Sequence, residues 1–140
     1  MNQTSPAPIL VFDLDGTLAD TARDLIATLN VLLTREGLPT VAPAAARDLV
    51  GAGAQALIER GFALHDAPLP PERIQPMVAD FLAHYEAHIA DETCLFPGAR
   101  AALDRFRDAG FRLAICTNKP ERLARLLIDR LAVADRFDAI

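Results

Sequence analysis

The sequence predicts an α/β fold in which a parallel-sheet core is interrupted by an all-helical insertion. Three observations carry that prediction. Two apolar runs, Ile9–Phe12 and Phe111–Cys116, each stop abruptly at a polar cluster, as strands of a parallel sheet do where they meet a ligand-facing edge. Between them, apolar residues recur at helical spacing and nothing reads as a strand from Pro43 to Ile89. After Phe96-Pro97-Gly98 the alternation of helix and strand resumes.

Each element has a local reason. Ile9-Leu10-Val11-Phe12 is continuous and apolar, which predicts a strand buried on both faces with Asp13 at its carboxyl end. Asp20 and Thr21 are capping residues ahead of a helix that lines up Leu25, Leu29, Leu32 and Leu33 and closes at Gly37 and Pro39. Shorter helical stretches, Ala44–Val50 and Ala54–Gly61, meet at a Gly51-Ala52-Gly53 turn. Pro71 suits the first turn of a longer helix carrying Ile74, Val78, Phe81, Leu82, Tyr85 and Ile89 on one face.

Beyond the insertion, Leu103 and Phe106 mark a helix ending at Gly110, and Phe111–Cys116 is the second strand. Pro120 opens a helix with Leu123, Leu126, Leu127 and Leu131, and Phe137–Ile140 reads as a loop entering a further strand. The domain reading is therefore a disordered tail over 1–8, a core built from 9–19 and 93–140, and a helical cap over 20–92.

Composition narrows the function. At 140 residues with 51% hydrophobic and 6% aromatic content, the chain is that of a globular domain. A net charge of −5 disfavours nucleic acid as a partner, because phosphate-backbone binders need a concentrated basic face. Every basic residue except Lys119 is an arginine. Cys94 and Cys116 are the only cysteines and fit no C-x-x-C spacing, and Cys116 sits in an apolar run where a buried thiol acts as a small hydrophobe. The first residues carry no basic targeting region, and Ile9–Phe12 is too short to span a membrane. A cytoplasmic protein with no membrane partner is expected, as a monomer or homodimer.

Chemistry concentrates in two segments. In Asp13-Leu14-Asp15-Gly16-Thr17, two carboxylates leave a strand and enter a glycine turn. Ligand sites of open parallel sheets lie outside the carboxyl ends of the strands, and residues two apart in an extended segment point the same way. Two close carboxylates favour a divalent cation, and hard oxygen donors favour Mg²⁺. Asp13 can then attack phosphorus, while Asp15 protonates the leaving alkoxide and afterwards activates water. Gly16 permits the sharp turn, and Thr17 offers a hydroxyl to hold Asp13 or the turn. The plainer alternative is a loop after a strand, since Asp and Gly are ordinary turn residues.

Thr117-Asn118-Lys119-Pro120 ends the second strand as Asp13 ends the first. Adjacent parallel strands would bring the two segments together. A hydroxyl, an amide and helix-start N–H groups make a phosphate cradle, although Thr-Asn before Lys-Pro also reads as a helix N-cap. Lys119 is grouped with them as a substrate-binding candidate. Arg47, beside the glycine turn, reads as a surface arginine or as a guanidinium for a substrate carboxylate. His84 and His88, one turn apart, read as a solvated face, and Phe81 and Tyr85 as cap core.

The DLDGT segment after ILVF, together with LAICTNKP at this separation, resembles the haloacid dehalogenase superfamily in its phosphatase branch. Within it, RDLVGAGAQALIERGF, FPGARAALDRFRDAG and TNKP look like the phosphoglycolate phosphatases. The resemblance covers nearly the whole chain. It implies a Rossmann-like core, Mg²⁺ held by the Asp13 side chain and the Asp15 backbone carbonyl, phosphate held by Thr117 and Asn118, and a cap that selects the substrate. The implied reaction is hydrolysis of a small phosphorylated substrate, 2-phosphoglycolate to glycolate and phosphate, through an aspartyl-phosphate. Dehalogenases lack an aspartate matching Asp15, and the related phosphoglucomutases carry a serine-rich second motif, so phosphoester hydrolysis is preferred.

The family also uses a lysine bridging nucleophile and phosphate and an acidic cluster after a later strand. Lys119 belongs to the second motif, and Asp129, Asp135 and Asp138 follow no apolar strand. A core incomplete at its C-terminal end is therefore expected, with weak or no activity for residues 1–140 alone. Two other functions stay open: a sugar-phosphate or pyrophosphate phosphatase, and a non-enzymatic interaction domain.

Overall fold

The protein is described by a computed structural model over residues 6–140. The first five residues of the expected tail lie outside that range. In chain order the elements are β1 (Ile9–Phe12), β2 (Ala19–Asp20), α1 (Ala22–Arg35), a 3₁₀ helix (Pro43–Leu49), α2 (Ala54–Ala63), α3 (Pro71–Ala87), β3 (Cys94–Leu95), α4 (Ala99–Asp108), β4 (Arg112–Ile115), α5 (Glu121–Arg130) and a 3₁₀ turn (Ala134–Arg136). The α/β reading with a parallel core and a helical insertion holds.

β1 and β4 pair in parallel, with Phe12 opposite Ile115. Beyond β4 the chain starts a third line of pairing: Ala139 bridges Ala114 in parallel, and the Ile115 N–H donates to the Ala139 carbonyl at 3.0 Å. This is the strand entry expected at Phe137–Ile140. The expectation that β1 is buried on both faces needs correction, because Ile9 is 54% and Val11 61% exposed. β1 instead shows a half-buried alternation, with Phe12 turned towards α4, its ring 6.0 Å from that of Phe106. Cys116, just past β4, is likewise exposed rather than buried.

The sequence showed no sign of β2 and β3. These two-residue strands pair antiparallel, Ala19 with Leu95 and Asp20 with Cys94, and join the two connections between the core and the helical bundle. At two residues each they carry too little pattern to be read locally. Thr21 occupies the N-cap of α1, yet its side chain makes no capping bond and its hydroxyl is buried without a partner.

α1, α2 and α3 pack on one another through fully buried Ile26, Leu29, Leu33, Ile58, Phe62 and Phe81. Two polar devices fix their spacing. The Asn30 amide donates to the Val41 carbonyl at 2.9 Å and accepts from its N–H at 2.7 Å. Arg73 of α3 grips both carboxylate oxygens of Glu36, at 3.0 and 2.7 Å. Among the described residues, no helix is long and apolar enough to cross a membrane.

Candidate active site

The site forms where the carboxyl ends of β1 and β4 meet the helical bundle. The Cys116 N–H donates to the Phe12 carbonyl at 2.8 Å. Parallel pairing thus runs to the last residue before Asp13 and nearly to Thr117, so both segments emerge at the same edge. Leu14 is 1% exposed and anchors the first segment in the core. Asp13 and Asp15 flank it, Asp13 exposed and the Asp15 side chain only 9% exposed.

The glycine turn is closed by backbone bonds: Thr17 and Leu18 N–H groups donate to Leu14 at 3.2 and 3.1 Å, and Gly16 N–H to Ala19 at 2.9 Å. Gly16 has φ +76°, a left-handed conformation that favours glycine. Thr17 therefore serves the turn through its N–H. Its hydroxyl makes no hydrogen bond among those described, and the residue is exposed. The Asp13 Oδ1 accepts from the Leu14 N–H at 2.7 Å.

In the second segment, the Thr117 hydroxyl accepts from the Lys119 N–H at 3.1 Å, a turn within the loop and not a helix cap, since the N-cap position of α5 falls on Pro120 and carries no side-chain capping bond. The Asn118 amide donates to the Gly51 carbonyl of the helical bundle at 2.9 Å. Lys119 is the departure from expectation. Its side chain is 4% exposed, with Nζ 3.1 Å from Asp15 Oδ1. It also donates to the Tyr85 hydroxyl at 3.0 Å and sits 4.3 Å from the centre of that ring. Burial pushes the Lys119 ammonium below its ordinary value, and the negative charge of Asp15 opposes that shift. Burial pushes the Tyr85 phenol up, with Asp15 and Asp24 adding in the same direction.

Asp15, Lys119 and Tyr85 line a narrow, partly open cleft with Val50, Phe81 and Leu123, with about 30 Å³ of space for water. Arg47 lies outside it. Its side chain is 74% exposed, 4.0 Å from Asp20, in an open groove with Arg23 and Glu92. His84 and His88 stack on the outer face of α3, ring centres 4.6 Å apart, with His88 bound to Asp91.

Two buried contacts had no warning in the sequence. Tyr85 reads as packing because its spacing is helical, and only its being the single tyrosine sets it apart. Asp24, in the first turn of α1, has no spacing that singles it out in the sequence. In the fold it is 3% exposed and receives N–H bonds from Glu92 and Thr93.

The donor set suits Mg²⁺. Asp13 offers an exposed carboxylate and Asp15 a backbone carbonyl, both hard oxygens, and this ion commonly keeps several waters and takes few protein ligands. Among the described residues, no cluster of three His, Cys, Asp or Glu side chains stands ready to enclose a metal.

The family model of haloacid dehalogenase-like hydrolases matches residues 10–140. A phosphoglycolate phosphatase of Caulobacter vibrioides is 45% identical over 131 residues, covering 94% of this chain and 55% of the relative. One from Agrobacterium fabrum is 42% identical over 134 residues, covering 96% and 58%. The chain thus spans a little over half the length of these relatives. A crystal structure of a predicted phosphoglycolate phosphatase from Haemophilus somnus superposes with TM-score 0.83 at 22% identity, covering 97% of this chain and 62% of that one. CbbY from Rhodobacter sphaeroides, solved in complex with phosphate, gives TM-score 0.75 at 26% identity, covering 96% and 62%.

Proposed function

The chain belongs to the haloacid dehalogenase-like hydrolase family, and from that premise we propose that it serves a phosphomonoesterase whose substrate is 2-phosphoglycolate. The observation that carries the proposal is the shared edge of β1 and β4, from which Asp13 and Thr117 both emerge. The names of the relatives, at 45% and 42% identity, favour phosphoglycolate over other esters.

In this reading Asp13 attacks phosphorus in line and forms an acyl phosphate, and the P–O bond to glycolate breaks. Asp15 gives the departing alkoxide its proton, then takes one from the water that attacks the acyl phosphate and releases inorganic phosphate. The Asp13 carboxylate and Asp15 carbonyl would hold Mg²⁺, which offsets the repulsion between anionic nucleophile and phosphate. Thr117 and Asn118 would hold the phosphate oxygens. Residues 20–92 would act as the cap over this edge, since Tyr85, Phe81 and Val50 of that segment line the cleft beside Asp15. Arg47 is assigned no step.

The test is hydrolysis of a panel of phosphate esters, in millimolar Mg²⁺, by the protein at the full length of its relatives. A kcat/KM for 2-phosphoglycolate above those for hexose phosphates and pyrophosphate supports the reading. The reverse order would overturn the substrate, and absence of hydrolysis with any ester would point to a binding domain.

A further inference from the structure

A buried ammonium is strongly disfavoured unless acceptors and a counter-charge surround it. The single lysine of this chain meets that condition with groups from two separate parts of the molecule. Asp15 comes from the loop after β1, and Tyr85 from α3. Asp15 Oδ1 is itself fully buried and receives no aligned hydrogen bond, so Nζ at 3.1 Å is its counter-charge. On the other side, Nζ donates to the Tyr85 hydroxyl and lies over the ring, an arrangement that attracts a cation. Tyr85 is 1% exposed and stacks on Phe81, so it has little freedom to follow the lysine elsewhere.

The residues beside Lys119 reinforce the same junction. Asn118 donates to Gly51, and Arg122 of α5 forms a two-pronged pair with Glu86 of α3. The stretch from Asn118 to Arg122 therefore grips the helical bundle at three points, and only Lys119 also reaches an aspartate of the first motif.

We propose that Lys119 is a positioning residue that ties the Asp15 carboxylate to the docked position of the helical bundle, with Tyr85 as the bundle's half of the link. The proposal rests on the reading of Asp15 as acid/base. With the bundle docked, the ammonium holds Asp15 facing the cleft. When Tyr85 withdraws, Nζ loses an acceptor and its cover from water, and its hold on Asp15 weakens with it. The orientation of the acid/base thereby depends on the element that closes over the substrate.

The molecule carries its own probe, because Tyr85 is the only tyrosine and there is no tryptophan. Acrylamide quenching of its emission reports how closely the bundle is docked. It is to be measured on the whole chain as wild type, Asp15→Asn, Lys119→Met, the double variant and Lys119→Arg, with circular dichroism to check folding. Asp15→Asn is expected to raise the quenching constant severalfold, although Asp15 lies in a different element from Tyr85. Lys119→Met is expected to raise it as much, the double variant no further, and Lys119→Arg to stay near wild type.

Quenching unchanged in Asp15→Asn, or additive effects in the double variant, would overturn the link. Should Lys119→Met fail to fold, Asp15→Asn and Lys119→Arg still decide it. Hydrolysis of p-nitrophenyl phosphate by the wild-type protein at the full length of its relatives reports on the parent reading alone. Absence of hydrolysis in the protein carried to the full length of its relatives would remove the acid/base role of Asp15 and leave the Asp15–Lys119–Tyr85 coupling to be judged by quenching.

Discussion

Asp24 and Thr93 close the ring that begins and ends at the helical insertion: the Thr93 N–H and hydroxyl both donate to Asp24 Oδ2, at 2.9 and 2.6 Å. The Glu92 N–H adds bonds to both oxygens, at 3.1 and 3.0 Å. Asp24 stands in the first turn of α1 and Thr93 just before β3, so one buried carboxylate joins the outgoing and returning connections beside the β2–β3 pair. Removing it leaves buried donors without an acceptor. Asp24→Ala is expected to destabilise the protein by about 3 kcal/mol, given about 1.5–3 kcal/mol for a charged hydrogen bond. Urea unfolding followed by circular dichroism measures this, and a loss below about 1 kcal/mol would mean the latch is dispensable.

In the protein at the full length of its relatives, Asp13→Asn should abolish turnover while leaving the melt unchanged, because an amide nearly matches the carboxylate in shape but cannot attack phosphorus. Asp15→Asn should lower kcat by about 10²- to 10⁴-fold, the usual range for general acid–base catalysis. Rates are read with 2-phosphoglycolate in Mg²⁺. Mass spectrometric trapping of phosphate on any residue other than Asp13 would remove the nucleophile assignment.

Chelation should abolish hydrolysis reversibly, with activity restored by Mg²⁺ and not by added salt. Affinity is expected to be weak, since Asp13 and the Asp15 carbonyl are the only donors proposed here. Calorimetric titration gives the dissociation constant. Hydrolysis persisting in excess chelator would exclude the proposed role of the ion.

Tyr85 should resist ionisation. Its phenol is raised above the ordinary value of 10.0 by burial first and by the charges of Asp15 and Asp24 next. The folded state holds this proton more tightly than the unfolded chain, so the associated stability is full below pH 10.0 and declines above it as the unfolded phenol ionises. Absorbance at 295 nm, an established phenolate band, should therefore appear together with unfolding on alkaline titration. A phenolate signal with an ordinary midpoint in the folded protein would contradict the burial described.

Two glycines separate backbone from packing effects. A methyl group at Gly16 would meet nothing within 4 Å, so Gly16→Ala should cost about 1–2 kcal/mol through its left-handed φ alone. At Gly61 the methyl would stand 2.6 and 2.8 Å from the ends of Leu29, which is fully buried. Overpacking of about 1–3 kcal/mol opposes a helix-propensity gain of about 1 kcal/mol, and net destabilisation is expected. Thermal melts distinguish the two, because Leu29→Ala should relieve Gly61→Ala and leave Gly16→Ala unaffected.

Much of this protein is determined by its sequence alone. The ILVF and FRLAIC runs, the glycine and proline stops, and the helical spacing of Leu25 to Leu33 and of Ile74 to Tyr85 are local signals, and the structure has the corresponding strands and helices. Asp13 and Thr117 could be placed at one edge because parallel neighbouring strands leave little alternative. The burial of β1 was misread because a continuous apolar run does not say how many faces are covered. Exposure of Val11 depends on what packs against the strand.

Tertiary structure alone decided the partners of the charged and polar groups. Lys119 reads as one residue of a phosphate cradle, and Tyr85 as one of a row of apolar contacts. Their meeting depends on where α3 docks over the end of β4, and no periodicity encodes that. Asp24 carries no signal of its own until the chain returns at Thr93 to surround it with donors. Local patterns follow from the repeat of the backbone, whereas a buried charge is placed by whatever distant groups can neutralise it, and those are known only once the chain has folded back on itself.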